Sequence, residues 1–157
     1  MRRLKDVFLV SLLVIALDQI TKSLALNYIN PFDSIKILPF LYLVIVTNKG
    51  AAFGMFKNIG SSFFIAISMA AIIFVIFLLI KTKKDYVGLS LILGGATGNL
   101  IDRILYGRVI DFIDLSIGNY HWPAFNVADS SLTVGVTLIA LTHLLKTIET
   151  KRSAKQS

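Results

Sequence analysis

Four long apolar runs alternate with polar stretches along the chain, at about 7–26, 61–80, 87–105 and 130–146. The first is interrupted by Asp18, Gln19, Thr21 and Lys22, and the second carries no charge at all. The third is glycine-rich and apolar until Asn99, Asp102 and Arg103, and the fourth has His143 near its end. Roughly 20 predominantly apolar residues are needed for a helix to cross a hydrocarbon core of ~30 Å. Each run is therefore read as a membrane-spanning helix, the short last one tilting less or borrowing flanking residues. Between the first two runs, residues 34–47 are rich in β-branched and aromatic side chains. Pro39 argues against a helix or a central strand there. The segment predicts one or two strands ending in a turn at Asn48-Lys49-Gly50. Residues 108–117 are apolar apart from Asp111 and Asp114 and suit a further strand or extended arm. The polar tail from Thr150 is expected to fray.

Composition supports this outline. A chain of 157 residues predicts one domain, 1–157. With 55% hydrophobic residues and a mean hydropathy of +0.76, the chain is too apolar for an ordinary soluble domain. There is no Cys, which excludes disulfides and thiolate metal sites. The net charge of +7 would suggest nucleic acid on a soluble domain, but the placement of the charges argues otherwise. Arg2, Arg3 and Lys5 precede the first run. Lys81, Lys83 and Lys84 lie between the second and third, and Lys146, Lys151, Arg152 and Lys155 lie at or beyond the end of the fourth. Positive charge collects on the cytoplasmic side. The reading is a mainly α membrane protein of four transmembrane helices with both termini cytoplasmic. Residues 27–60 and 106–129 are then extracytoplasmic and include a small β-rich segment. The basic balance reads as topology and contact with membrane lipids, with no nucleic-acid partner. A cleavable signal peptide over residues 1–26 is the rival reading, with Ser23-Leu24-Ala25 as the cleavage site. Lys22 sits badly in such a site, and cleavage would leave three spans whose basic flanks still require a cytoplasmic partner.

Helix rise sets the depth of the polar groups. At ~1.5 Å per residue, Asp18 and Lys22 lie ~20 and ~25 Å up the first helix, and Asn99, Asp102 and Arg103 ~18–24 Å up the third. Asp129 stands at the outer end of the fourth helix, and the loop carrying Asp111 is outside as well. Independent segments thus bring polar groups to one depth in the outer leaflet. Carboxylates are costly near hydrocarbon. Two that converge there, Asp111 and Asp129, suggest an acid/base pair and hence hydrolysis.

Each feature also has a plainer explanation. Asp18 and Lys22, four apart, can form a purely structural ion pair. Gly94 and Gly98 have a spacing whose commonest meaning is close helix packing. Arg103 can snorkel to the headgroups. Asp129 before Ser130-Ser131 looks like a helix N-cap. His121 and His143 have no metal-ligand spacing, and neither a metal nor any other cofactor is expected. No nucleophile elbow, zinc-protease motif or P-loop is present.

Taken together, the motifs resemble those of lipoprotein signal peptidase (signal peptidase II), a family of bacterial membrane aspartyl proteases. Asp18-Gln19-Ile20-Thr21-Lys22 is similar to its first-helix motif, and the stretch from Asn48-Lys49-Gly50 to Gly54 to its outer-loop motif. Residues 94–103, ending Asn99-Leu100-Ile101-Asp102-Arg103, resemble its third-helix motif. Val109-Ile110-Asp111-Phe112 and Phe125-Asn126-Val127-Ala128-Asp129 resemble its two catalytic motifs. The resemblance occurs in the family's order over nearly the whole chain. It implies an endopeptidase of the bacterial cytoplasmic (inner) membrane, with its active site facing outward. Such an enzyme removes signal peptides from prolipoproteins by cutting before a diacylglyceryl-modified Cys. Asp111 and Asp129 would be the catalytic dyad. Asp18, Lys22, Asn48, Gly50, Asn99, Arg103, Asn126 and Ala128 would bind substrate or shape the site. Cyclic peptide inhibitors such as globomycin are further ligands implied by the resemblance.

The chemistry suits these residues. Two close carboxylates cannot readily both ionise, so they share a proton. The ionised one activates water and the protonated one serves as acid. The alternative from the residues alone is a small proton- or ion-coupled transporter using Asp18, Asp102 and Arg103 as a relay. Against it, the polar groups cluster in one leaflet, and no inverted repeat is evident. A purely structural membrane subunit leaves the paired aspartate motifs unexplained.

Overall fold

The structure, a computed structural model, describes residues 2–49 and 61–156. Four helices carry it: α1 (Arg2–Tyr28), α2 (Ser61–Lys81), α3 (Tyr86–Tyr106) and α4 (Val127–Gln156). Four strands accompany them: β1 (Ile35–Leu38), β2 (Leu41–Asn48), β3 (Val109–Ile117) and β4 (Tyr120–His121). The sheet is antiparallel in the order β1-β2-β3-β4. Pro39 and Phe40 form the turn between β1 and β2, where a missing ladder donor costs nothing.

Among the described residues, three stretches are long and apolar enough to cross a membrane: Arg3–Tyr28, Ser61–Lys81 and Val127–Ser153. Only 11% of the most apolar stretch of α2 is buried by protein. Large side chains such as Leu13, Phe74, Phe77 and Leu144 are exposed. The inside is correspondingly polar, with Asp18, Lys22, Ser90, Asn99, Asp102, Asp111 and Asn126 all buried. Apolar outside and polar inside inverts the water-soluble pattern and fits a bilayer as solvent.

Helix α3 packs against all three other helices, and small residues make this possible. A methyl group on Gly94 would stand 2.7 Å from Val14 Cβ of α1, and one on Gly95 would press on the Ala128 carbonyl of α4. Gly88 and Gly135 face each other, each blocking a Cβ on the other by its carbonyl oxygen (2.8 and 2.6 Å). The glycines therefore serve close packing, and neighbouring backbones fill the space that a glycine-lined groove would have left open. Gly107, at φ 67°, ends α3 in the left-handed conformation, its N–H bonding the Arg103 carbonyl (3.1 Å). The chain turns there directly into β3.

Strand β3 is the hinge of the site. It pairs with β2, Val46 opposite Asp111 and Asn48 opposite Val109. It also holds the approach to α4, because Ile113 and Phe125 exchange backbone bonds (2.9 and 3.0 Å). A small apolar cluster of Ala25, Ile29 and Phe112, flanked by Leu43, Ile45, Ile113 and Val127, seats the sheet on the end of α1.

Two boundaries differ from the sequence reading. Helix α4 starts earlier, at Val127, and it continues through the polar tail to Gln156 where fraying was expected. Lys, Arg, Ala and Gln are good helix formers, and Thr147, Thr150 and Ser153 each bond the carbonyl four residues back.

Candidate active site

Lys22 organises the buried interior. Its ammonium has three hydrogens and meets three acceptors: Asp18 Oδ2 at 2.8 Å, Asp102 Oδ2 at 2.9 Å and Asn99 Oδ1 at 3.0 Å. Asp18 and Lys22 reach one face because they are four apart on α1. The pair is thus structural, as its spacing allows, and it also spans to α3. Gln19 adds its amide to Asp102 Oδ1 (3.0 Å) and to the Gly98 carbonyl (3.2 Å).

Both acids also hold backbone. Asp102 Oδ2 accepts the N–H of Ile110 (3.0 Å), and Asp18 Oδ1 accepts the N–H of Ala128 (2.9 Å). Ile110 immediately precedes Asp111, and Ala128 immediately precedes Asp129. The network therefore anchors the backbone one residue ahead of each of the two outer aspartates.

Two asparagines hold the carboxylates themselves. Lys22 can only donate, so Asn99 turns its oxygen to Lys22 and its amide nitrogen to Asp129 Oδ1 (2.8 Å). Asn126 donates to Asp111 Oδ1 at 2.7 Å and lies 3.1 Å from Asn99 Oδ1. Its Oδ1 accepts the N–H of Asp129 (2.8 Å), while its own N–H donates to Asp129 Oδ2 (3.3 Å). That reciprocal pair is a capping box. Asn126 is thus the N-cap of α4, and Asp129 is the third helical residue rather than the cap its sequence position suggested. Asn48 also hydrogen-bonds Asp111.

Asp111 is buried, and its carboxyl is pushed up to about 6. Burial contributes most, followed by the charge of Asp129; the bonds from Asn48 and Asn126 and the charge of Lys22 pull the other way. Asp129 is half-buried and opens onto a cavity of about 660 Å³ whose walls include Leu115, Trp122, Phe125 and Val134. Two carboxyls tied to one asparagine, the deeper one keeping its proton to a higher pH than an ordinary carboxyl, can activate water and donate a proton in turn.

A family model described as signal peptidase (SPase) II matches residues 10–145. The chain belongs to the signal peptidase II family. A lipoprotein signal peptidase of Thermodesulfovibrio yellowstonii is 50% identical over 134 residues, covering 85% of this chain and 91% of that protein. One from Francisella tularensis subsp. novicida is 44% identical over 145 residues, covering 87% and 90%. A bacterial membrane enzyme solved by the in meso method at 2.3 Å resolution superposes with a TM-score of 0.81 at 38% identity, covering 90% of this chain and 88% of that one. Signal peptidase II membership gives the transporter reading no support.

Of the residues singled out in this signal peptidase II chain, Asp18, Lys22, Asn48, Asn99, Asn126, Ala128, Asp111 and Asp129 fall into the connected set just described. Arg103 stands at its edge. Its Nη1 lies 3.3 Å from Ser68 Oγ and 3.4 Å from the Asn99 carbonyl, and its Nε has no hydrogen-bond partner among the described residues. It lies within electrostatic reach of Asp129, Asp102 and Asp111. Gly50 and the rest of the outer-loop motif through Gly54 lie outside the described residues. Asp114 pairs with His121 (2.8 Å) across the β3–β4 hairpin. Sequence reasoning passed over Gln19 and Ser68 as site residues. Their signal was a polar group inside an apolar span, which without the helix rotations does not say what it faces.

Proposed function

We propose that this chain is the endopeptidase that removes signal peptides from prolipoproteins, cutting before the diacylglyceryl-modified Cys, with Asp111 and Asp129 as its catalytic dyad. The observation that carries the dyad is the single asparagine, Asn126, holding Asp111 by its side chain (2.7 Å) and Asp129 through the capping box. Asp111, the more buried of the two, is the better home for the shared proton. Asp129 then takes a proton from water as the oxygen attacks the scissile carbonyl. Asp111 stabilises the oxyanion and helps protonate the departing amine. The apolar cavity beside Asp129 suits the lipid-bearing part of the substrate. Arg103 and Asn99 are positioned to hold substrate backbone, and cyclic peptide inhibitors of the globomycin type would compete for the same ground.

The chain acts as one membrane domain, 1–157. Three helices are apolar enough to cross, and α3, 21 residues long and packed among them, crosses with them. The Lys and Arg distribution supports cytoplasmic termini, an outward-facing site and residence in the cytoplasmic (inner) membrane. The test is cleavage of a diacylglyceryl-modified prolipoprotein by purified protein, comparing wild type with Asp111→Asn and Asp129→Asn. Cleavage before the lipidated Cys that either substitution abolishes supports both activity and dyad. A folded wild type that fails to cut overturns the activity, and cutting by both variants overturns the dyad.

A further inference from the structure

At the end of the bundle opposite the aspartates, the end of α2, its connection to α3 and the side of α4 enclose a cavity of about 560 Å³. Lys81, Lys83, Lys84 and Lys146 line it, together with apolar Leu78 and Ile139. All four lysines are exposed, and none forms an ion pair among the described residues. The one carboxylate in the lining, Asp85, is engaged by His143 (3.2 Å). The negative end of α2 is also answered without these lysines, because Arg3 donates to the carbonyls of Leu79 and Thr82.

The positive-inside rule accounts for lysines at helix ends, but it does not require them to converge from α2, its connection and α4 around one cavity. Nor does it require that cavity to have an apolar wall. Phe77 and Ile80, on the adjoining turn of α2, are exposed, so hydrocarbon would reach the rim of the cavity. A cationic mouth, an apolar flank and a bilayer alongside match an amphiphile that carries a phosphate. Its volume lies in the range of sites for small ligands.

We propose that this cavity binds the headgroup of an anionic phospholipid from the leaflet at that end, the lysines facing the phosphate and the acyl chains lying along α2. The proposal rests on the bundle being membrane-spanning and is independent of the peptidase chemistry. The test uses the purified chain in detergent, with native mass spectrometry and thermal melting. Phosphatidylglycerol is compared with chain-matched phosphatidylcholine, and inorganic phosphate serves as a separate arm.

Wild type should retain phosphatidylglycerol on the order of tenfold better than phosphatidylcholine, because the lysines favour the headgroup with a net negative charge. The triple variant Lys83→Gln, Lys84→Gln, Lys146→Gln should lose that preference while keeping the wild-type melting transition in lipid-free detergent, which reports that it folds. The corresponding triple arginine variant should keep it. Absence of a preference in wild type, or its persistence in the glutamine variant, overturns the proposal. So does its loss in both variants, or an equal thermal shift from inorganic phosphate alone, which would mark a simple anion site.

Discussion

Asp111 couples burial to protonation, and the sign of that coupling can be worked out. Its carboxyl titrates at about 6 in the folded chain, against roughly 3.9 when unfolded. The folded state therefore holds its proton more tightly than the unfolded state does. Its contribution to stability is full below about pH 4 and is lost as pH rises through about 6. Asp111→Asn should flatten this slope and leave the protein more stable than wild type at pH 7, measured by thermal melting from pH 4 to 8. A variant with wild-type slope would mean that Asp111 is not the group responsible. Because the charge of Asp129 helps to raise Asp111, Asp129→Asn should lower the Asp111 titration, readable from the infrared carboxyl band. For cleavage, either Asn substitution should cost at least ~10²–10⁴-fold, the usual scale of acid–base catalysis. The motif residues were legible because a carboxylate in an apolar setting is conspicuous. The position of Asp129 within its helix was not, because Asn126 and Asp129 are both good residues for a helix start and only geometry tells which one caps.

At the scale of elements, the helices are joined where side chains are either absent or charged. Lys22→Met leaves Asp18 and Asp102 buried without their cation and should destabilise the fold by about 3–5 kcal/mol. It should also reduce cleavage, because the backbone ahead of both aspartates loses its anchor. The glycine contacts separate stability from function. Gly95→Ala presses on the Ala128 carbonyl, and Gly135→Ala on that of Gly88 at the other end of the bundle. Each should cost about 1–3 kcal/mol, the usual penalty of overpacking. Only Gly95→Ala should also slow turnover in the fraction that remains folded, since it displaces the residue next to Asp129. Equal effects on turnover would count against the anchoring role of Ala128. The helices themselves were readable from apolar run length, and their convergence from rise per residue. The contacts of Gln19 and Ser68 were not, because spacing along a helix fixes a face but not the neighbour it meets. The end of α4 was missed for another reason: polarity is evidence against burial, and a helix leaving a membrane has no need of burial.

For the molecule as a whole, the absence of cysteine makes the topology directly measurable. Single cysteines at Asn119 and Glu149 report on opposite ends of the bundle. With an impermeant maleimide on intact cells or right-side-out vesicles, Asn119→Cys should label at once and Glu149→Cys only after permeabilisation. The reverse pattern would invert the orientation proposed here.

The linked arrangement around the two outer aspartates also has a consequence for drug escape. A compound seated on those carboxylates would lean on Asn99 and Asn126, which also hold Lys22 and the start of α4. A bacterium seeking resistance could not replace either amide without loosening the parts that align the proposed dyad. Viable escape substitutions should therefore collect on the rim of the cavity beside Asp129, at positions such as Leu115 and Val134, where shape can change while the polar centre stays intact.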